Sequence, residues 1–172
     1  WFLAAWLQLA RSRPAAGMLV YVLLTSVAND CLFVVYGAWL EADFGLGVAG
    51  IGMLTGIIGA AELLGELATV ALSDRLGKRR AIVGGLLLAM VGYALLPFWR
   101  GSLAWALAGL GVIFLAVEFT IVTSLSVATE VLPELRATMM SGYLAAAGVG
   151  RVAGALLGGP VWQAAGIAGT AA

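Results

Sequence analysis

The sequence has no histidine and only one cysteine, Cys31, in 172 residues. The first absence removes histidine-based catalytic triads, most zinc sites and the usual neutral-pH switch. The second removes any internal disulfide and any CxxC metal site. Charge is scarce as well. Charged residues make up 10% of the chain, against about 25% in an average soluble domain. Nine Lys+Arg balance nine Asp+Glu, so the net charge is zero and no basic excess points to nucleic acid. What remains is 63% hydrophobic, with a mean hydropathy of +1.07. A chain this short keeps much of its surface exposed and cannot hide so much apolar area in one core. An ordinary soluble domain is thereby excluded, and a membrane-embedded bundle is expected. No enzyme site stands out, and no cofactor or metal is implied.

A helix needs about 20 apolar residues to cross the hydrocarbon layer. Long apolar segments run at roughly 15–40, 46–73, 81–99, 102–129 and 137–159. A sixth begins near Pro160 and reaches Ala172, too short to span. The runs are continuous rather than alternating, which argues against a strand barrel. The expected fold is all-α: a polytopic transmembrane helix bundle with five complete spans and the start of a sixth. Residues 1–14 read as the end of a preceding helix or as a linker, with no secretory cleavage site. The chain opens on Trp1 and stops within an apolar segment, so it is expected to be a fragment. Pro97 and Pro160 are expected to stop helices rather than kink them.

The loops alternate in charge. Arg11 and Arg13 precede the first span, Asp74-Arg75-Leu76-Gly77-Lys78-Arg79-Arg80 follows the second, and Arg136 follows the fourth. The opposite loops carry Glu41, Asp43 and Arg100. By the positive-inside rule, residues 11–14 and 74–80 are cytoplasmic and the spans run out, in, out, in, out. Trp39, Trp99, Trp105 and Trp162 all fall at the expected outer interface, where an indole can be half wet.

Five ionisable residues lie inside the spans: Asp30, Glu62, Glu66, Glu118 and Arg151. Each costs about 2.5–3.5 kcal/mol at the centre of a lipid-facing helix on insertion scales, so all should face the bundle interior or a wet cavity. Four acids outnumber one base, so they cannot all pair within this chain. A desolvated carboxyl crowded by other carboxyls holds its proton more readily, which is the condition for a proton-carrying site. Glu62 and Glu66, at i and i+4, repel each other if both are charged. The bland readings are a helix-break cap or interhelical hydrogen bond for Asp30, helix–helix contact or a gate for Glu62 and Glu66, and neutralisation of an acid by Arg151. Asn29, Thr55, Thr120 and Thr123 are polar and intramembrane, and such residues more often bond within their own helix.

Glycine accounts for 24 residues, concentrated in the second and fifth spans. Gly150, Gly154 and Gly158 recur at i, i+4 and i+8 and form one smooth ridge. Gly52 and Gly56 share the spacing. Small residues let helix backbones approach closely in lipid, where little hydrophobic force drives helices together.

The loop Asp74-Arg75-Leu76-Gly77-Lys78-Arg79-Arg80 resembles the major facilitator superfamily signature Gly-x-x-x-Asp-Arg-x-Gly-x-Arg-Arg, with Val70 where the first glycine is expected. Pro133-Glu134-Leu135-Arg136 resembles the short loop that precedes the fifth helix in that family. Gly150-x-x-x-Gly154-Ala155-x-x-Gly158-Gly159 is similar to its antiporter motif, with Ala155 in place of a proline. The resemblance implies one six-helix half of a twelve-helix transporter. The departure at Val70 and the segment before the first span favour the carboxy-terminal half. It also implies that the first and fourth spans line a central cavity, that the second and fifth pack against the other half, and that the third lies outermost. The implied activity is secondary active transport of small molecules by alternating access, as proton-coupled efflux across a bacterial inner membrane. The implied partners are the lipid bilayer, the other half, a small-molecule substrate and protons. A non-transporting sensor or assembly subunit on the same fold is the alternative. An intramembrane enzyme would need a Ser-Lys pair or paired aspartates, but Lys78 lies in a loop and Asp30 is the single intramembrane aspartate.

Overall fold

The computed structural model describes residues 2–172, with side chains from residue 5 onward. Trp1 and its place in the 1–14 segment lie outside the described residues. Those described form seven α-helices and no strand. They are α1 Phe2–Arg11, α2 Arg13–Phe33, α3 Tyr36–Phe44, α4 Val48–Leu76, α5 Lys78–Leu95, α6 Leu103–Val131 and α7 Arg136–Thr170. Short 3-10 turns at Leu96–Trp99 and Pro133–Leu135 lead into α6 and α7. Five stretches are long and apolar enough to cross a membrane, with α2 and α3 acting as one.

Each boundary has a local cause. Ser12 stands in the extended region before α2, and its hydroxyl accepts from the Ala15 amide. Pro14 fits the first turn, where its missing N–H costs nothing. Gly77 separates α4 from α5 at φ +82°, a conformation that L side chains resist. Pro97 falls in the turn that ends α5, as expected.

Two expectations about the spans are corrected. The first span is not one helix from 15 to 40. It breaks at Val34–Val35, where the Val34 amide donates to Asp30 O and the Val35 amide to Leu32 O. Two successive β-branched residues weaken a helix at that point. Pro160 does not end the fifth span. α7 runs through it, and the break comes at Gly166, with φ 60° and ψ −156°. Gly159 removes one of the obstacles, because it offers no Cβ for the proline ring to strike.

α6 is the central helix. α4 and α5 both pack on it and touch each other little, while α2 and α7 form the most extensive pair. A cluster including Trp39, Leu40, Leu110, Phe114 and Ile167 fills the end away from the basic loops. A second cluster, with Leu9, Ala15, Met139 and Tyr143, fills the basic end. Outward faces carry exposed apolar side chains such as Met53, Val70, Leu87 and Leu156, as a lipid-facing bundle requires.

The α2–α7 seam is built on glycine. A Cβ on Gly154 would stand 2.5 Å from Val27 O and 2.9 Å from Asp30 Cβ. One on Gly158 would stand 2.7 Å from Cys31 O, and one on Gly150 would meet Leu23 O and Ser26 Cβ. Cys31 Sγ donates to Gly154 O at 3.4 Å across the same seam. The fifth-span ridge therefore faces the first span of this chain, which corrects its expected use against another half. The backbones come close enough here for carbonyls to fill the groove that side chains would otherwise occupy. Nothing described lies within 4 Å of a Cβ on Gly52 or Gly56.

Candidate functional site

Between the two apolar clusters lies a cavity of about 420 Å³. α2 contributes Ser26, Asn29, Asp30 and Phe33, α4 contributes Glu62, α6 contributes Glu118, and α7 contributes Tyr143 and Arg151. Four of the five intramembrane ionisable residues thus line one space, from four different helices. Glu66 does not. It lies one turn further along α4, toward the basic end, and is exposed. α5 supplies no lining residue.

Asp30 is the most enclosed of the acids, 8% exposed. Arg151 Nε donates to its Oδ1 at 3.5 Å, while the rest of the Arg151 side chain stays open. This single, long contact neutralises one carboxylate. Glu62 and Glu118 line the same cavity and make no ion pair among the described residues. The cavity therefore holds two carboxyl groups more than it can pair. Such groups can take up protons or a cationic ligand at modest structural cost, because no existing bridge must break.

The other intramembrane polar side chains are mostly satisfied within the bundle. Thr120 and Thr123 each donate to their own helix, to Ala116 O and Phe119 O at 2.6 Å. Thr55 donates to Ile51 O at 3.0 Å and meets Tyr36 Oη at 2.8 Å. Asn29 Oδ1 is buried with no hydrogen-bond partner among the described residues. Tyr143 joins Ser124 at 2.6 Å and lines the floor. Tyr143, Ser26 and Phe33 were not singled out by the sequence. Hydroxyl and aromatic residues are cheap in a membrane helix, so they give no cost signal there. No cluster of His, Cys, Asp or Glu fit to hold a metal ion occurs among the described residues.

The two ends of the bundle are tied differently. At the basic end Lys78 pairs with Glu130 at the close of α6, so the signature loop docks on the fourth span. Arg136 Nε donates to Thr129 O at 3.2 Å. At the other end Arg100 holds Asp43 with two bonds, 2.8 and 3.1 Å, and Trp39 Nε1 donates to the same carboxylate at 2.7 Å. Trp39 lies at this end, as its expected outer position implies, but it is fully buried rather than half wet. The break at Val34–Val35 starts a new helix that carries Trp39 inward. Trp105 is exposed, whereas Trp99 and Trp162 are partly buried against the apolar cluster.

Comparison with known proteins agrees with this architecture. The uncharacterized MFS-type transporter YceJ of Bacillus subtilis (strain 168) is 29% identical over 146 residues. The aligned region covers 85% of this chain and 37% of that relative, so the chain spans little more than a third of its length. No solved structure matches. The profile of the Major Facilitator Superfamily matches residues 18–170, from the first turns of α2 to the end of α7. With that match over most of its length, and five apolar helices in the bundle, the chain is an integral membrane protein that belongs to the Major Facilitator Superfamily.

Proposed function

We propose that this chain is one six-helix half, the carboxy-terminal one, of a secondary transporter that exports small molecules in exchange for protons. The observation that carries the reading is the shared cavity of Asp30, Glu62, Glu118 and Arg151. The other half closes the open side of that cavity, and rocking of the two halves exposes it alternately to each face of the membrane. The basic loops, including residues 11–14 and 74–80, face the cytoplasm of a bacterial cell.

The carboxyls then have distinct tasks. Asp30 holds Arg151 when the site is empty. A proton on Asp30 removes its charge and releases the guanidinium. Glu118 and Glu62 take the protons or the positive end of the substrate, and neutralising either one relieves the repulsion between them. The Lys78–Glu130 contact ties the Asp74–Arg80 loop to α6 in one state and yields in the other. Glu66, outside the cavity, serves at the basic-end gate. Gly52 and Gly56 offer a smooth face of α4 to the other half.

The test is proton-driven transport by the full-length protein in proteoliposomes. Asp30→Asn is expected to abolish coupled transport while leaving thermal stability within about 1 kcal/mol, since the amide keeps the shape and part of the hydrogen bonding. Wild-type rates with asparagine at this position would end the assignment.

A further inference from the structure

A second opening lies on another side of α6. Because α4 and α5 both pack on α6 and touch each other little, an apolar groove of about 230 Å³ runs between them. Leu72 and Leu76 of α4 form one wall, Gly84 and Leu88 of α5 the other, and Leu115 and Phe119 of α6 the floor. Arg80 closes its basic end. A shallow depression beside it shares Arg80 and Gly84 and adds Arg79. No acidic residue lines either one. Among the described residues neither Arg79 nor Arg80 makes an ion pair, whereas Lys78 is matched by Glu130.

The charges fit one kind of occupant. Two guanidiniums stand at the membrane boundary above an apolar slot that faces sideways out of the bundle. Arginine pairs with phosphate through parallel N–H bonds. α5 also opens on Lys78, Arg79 and Arg80 with no acid in its first turn and no capping side chain. Cations there oppose the helix dipole unless an anion lies beside them. A protein partner that closes the carboxyl cavity would not cover this slot. α5 lines no part of that cavity, and α6 turns Glu118 to the cavity but Leu115 and Phe119 to the slot.

We propose that this groove binds a phospholipid with an anionic headgroup, its acyl chain between the leucines of α4 and α5 and its phosphate between Arg79 and Arg80. The site is separate from the transport cavity and does not depend on what is transported.

Native mass spectrometry of the full-length protein, supplied with equal phosphatidylglycerol and phosphatidylcholine, tests it. Phosphatidylglycerol is expected to be retained over phosphatidylcholine. Arg79→Gln/Arg80→Gln is expected to weaken phosphatidylglycerol about thirtyfold, from the usual contribution of two basic residues near a membrane surface, and to weaken phosphatidylcholine much less, because its choline cation offsets the phosphate charge. Gly84→Leu keeps both charges and fills the slot. Gly84 is exposed and a Cβ there meets nothing within 4 Å, so the side chain can start without a clash, and phosphatidylglycerol is again expected to be lost. Should the double glutamine variant fail to fold, Arg79→Lys/Arg80→Lys is expected to give a partial loss, because a point charge replaces a planar fork. Unchanged retention in either arginine variant overturns the proposal. So does loss in the arginine variants with none in Gly84→Leu, which would mean a phosphate held on open surface charge. A wild-type protein that prefers neither lipid overturns it as well.

Discussion

Replacing Gly154 by alanine tests the packing that holds the cavity together. The added Cβ would stand 2.5 Å from Val27 O, 2.9 Å from Asp30 Cβ and 3.1 Å from the Cys31 amide nitrogen. Two of these three are backbone atoms of α2, which cannot rotate aside. Ordinary contact begins near 3.4 Å, so α2 and α7 must part by roughly 0.9 Å at this point. The cost is that of overpacking, about 1–3 kcal/mol. Alanine also gains about 1 kcal/mol of helix propensity over glycine, which masks part of the loss. Gly148→Ala isolates that gain. It lies on the same helix, is exposed, and its Cβ would meet nothing within 4 Å. Unfolding of the full-length protein in mixed detergent micelles should therefore place Gly154→Ala about 1–3 kcal/mol below Gly148→Ala. Equal stability of the two variants would refute the tight seam.

Other perturbations separate similar contributions. Asp43→Asn keeps an acceptor for the buried Trp39 indole and loses mainly an exposed ion pair, so a loss of under about 1 kcal/mol is expected. Asp43→Ala leaves that indole N–H unpaired and is expected to cost about 1–3 kcal/mol in the same unfolding assay. Gly77→Ala forces φ +82° on a residue with a Cβ, and thermal unfolding is expected to show a loss of about 1–3 kcal/mol. No loss there would mean that the turn relaxes.

The spans were legible because crossing hydrocarbon demands long uncharged runs. The start of α2 and the turn at Gly77 were legible because Ser12, Pro14 and Gly77 each satisfy a local backbone need. Which face of a helix turns inward was much less legible. These helices are apolar nearly all round, so periodicity does not tell core from lipid. That is why Trp39 was expected to be half wet and the glycine ridge of α7 was expected to face outward. Continuation through Pro160 was hidden for a different reason. A proline is usually a stop signal, and the glycine before it relieves one of its clashes. The site shows the same division. Asp30, Glu62, Glu118 and Arg151 announced themselves by the cost of a charge in lipid. Glu66 carried the same signal but lies outside the cavity, because cost says that a charge needs a refuge and not which one.

The glycines and the acids are one arrangement. Asp30 Cβ abuts the position of Gly154, and Glu118 Cβ lies 3.2 Å from where a Cβ on Gly65 would stand. Each acid therefore sits on the lip of a seam closed by backbone contact, α2 on α7 and α4 on α6. A Cβ on Gly65 would also stand 2.6 Å from Leu115 O and 3.1 Å from the Phe119 amide nitrogen, and Thr69 Oγ1 donates across that seam to Phe119 O at 3.1 Å. The remaining cavity residues follow from the helical turn of about 100° per residue. Glu62 stands one position beyond the buried Ala61, and Arg151 one beyond the buried Gly150, so both swing from a seam into the space beside it. Short carboxyl side chains on tightly spaced backbones cannot reach far to keep a partner. The 3.5 Å contact between Asp30 and Arg151 is thus tied to the spacing of α2 and α7. Asp30 is therefore held by the seam, and Arg151 reaches it from the open side of the cavity.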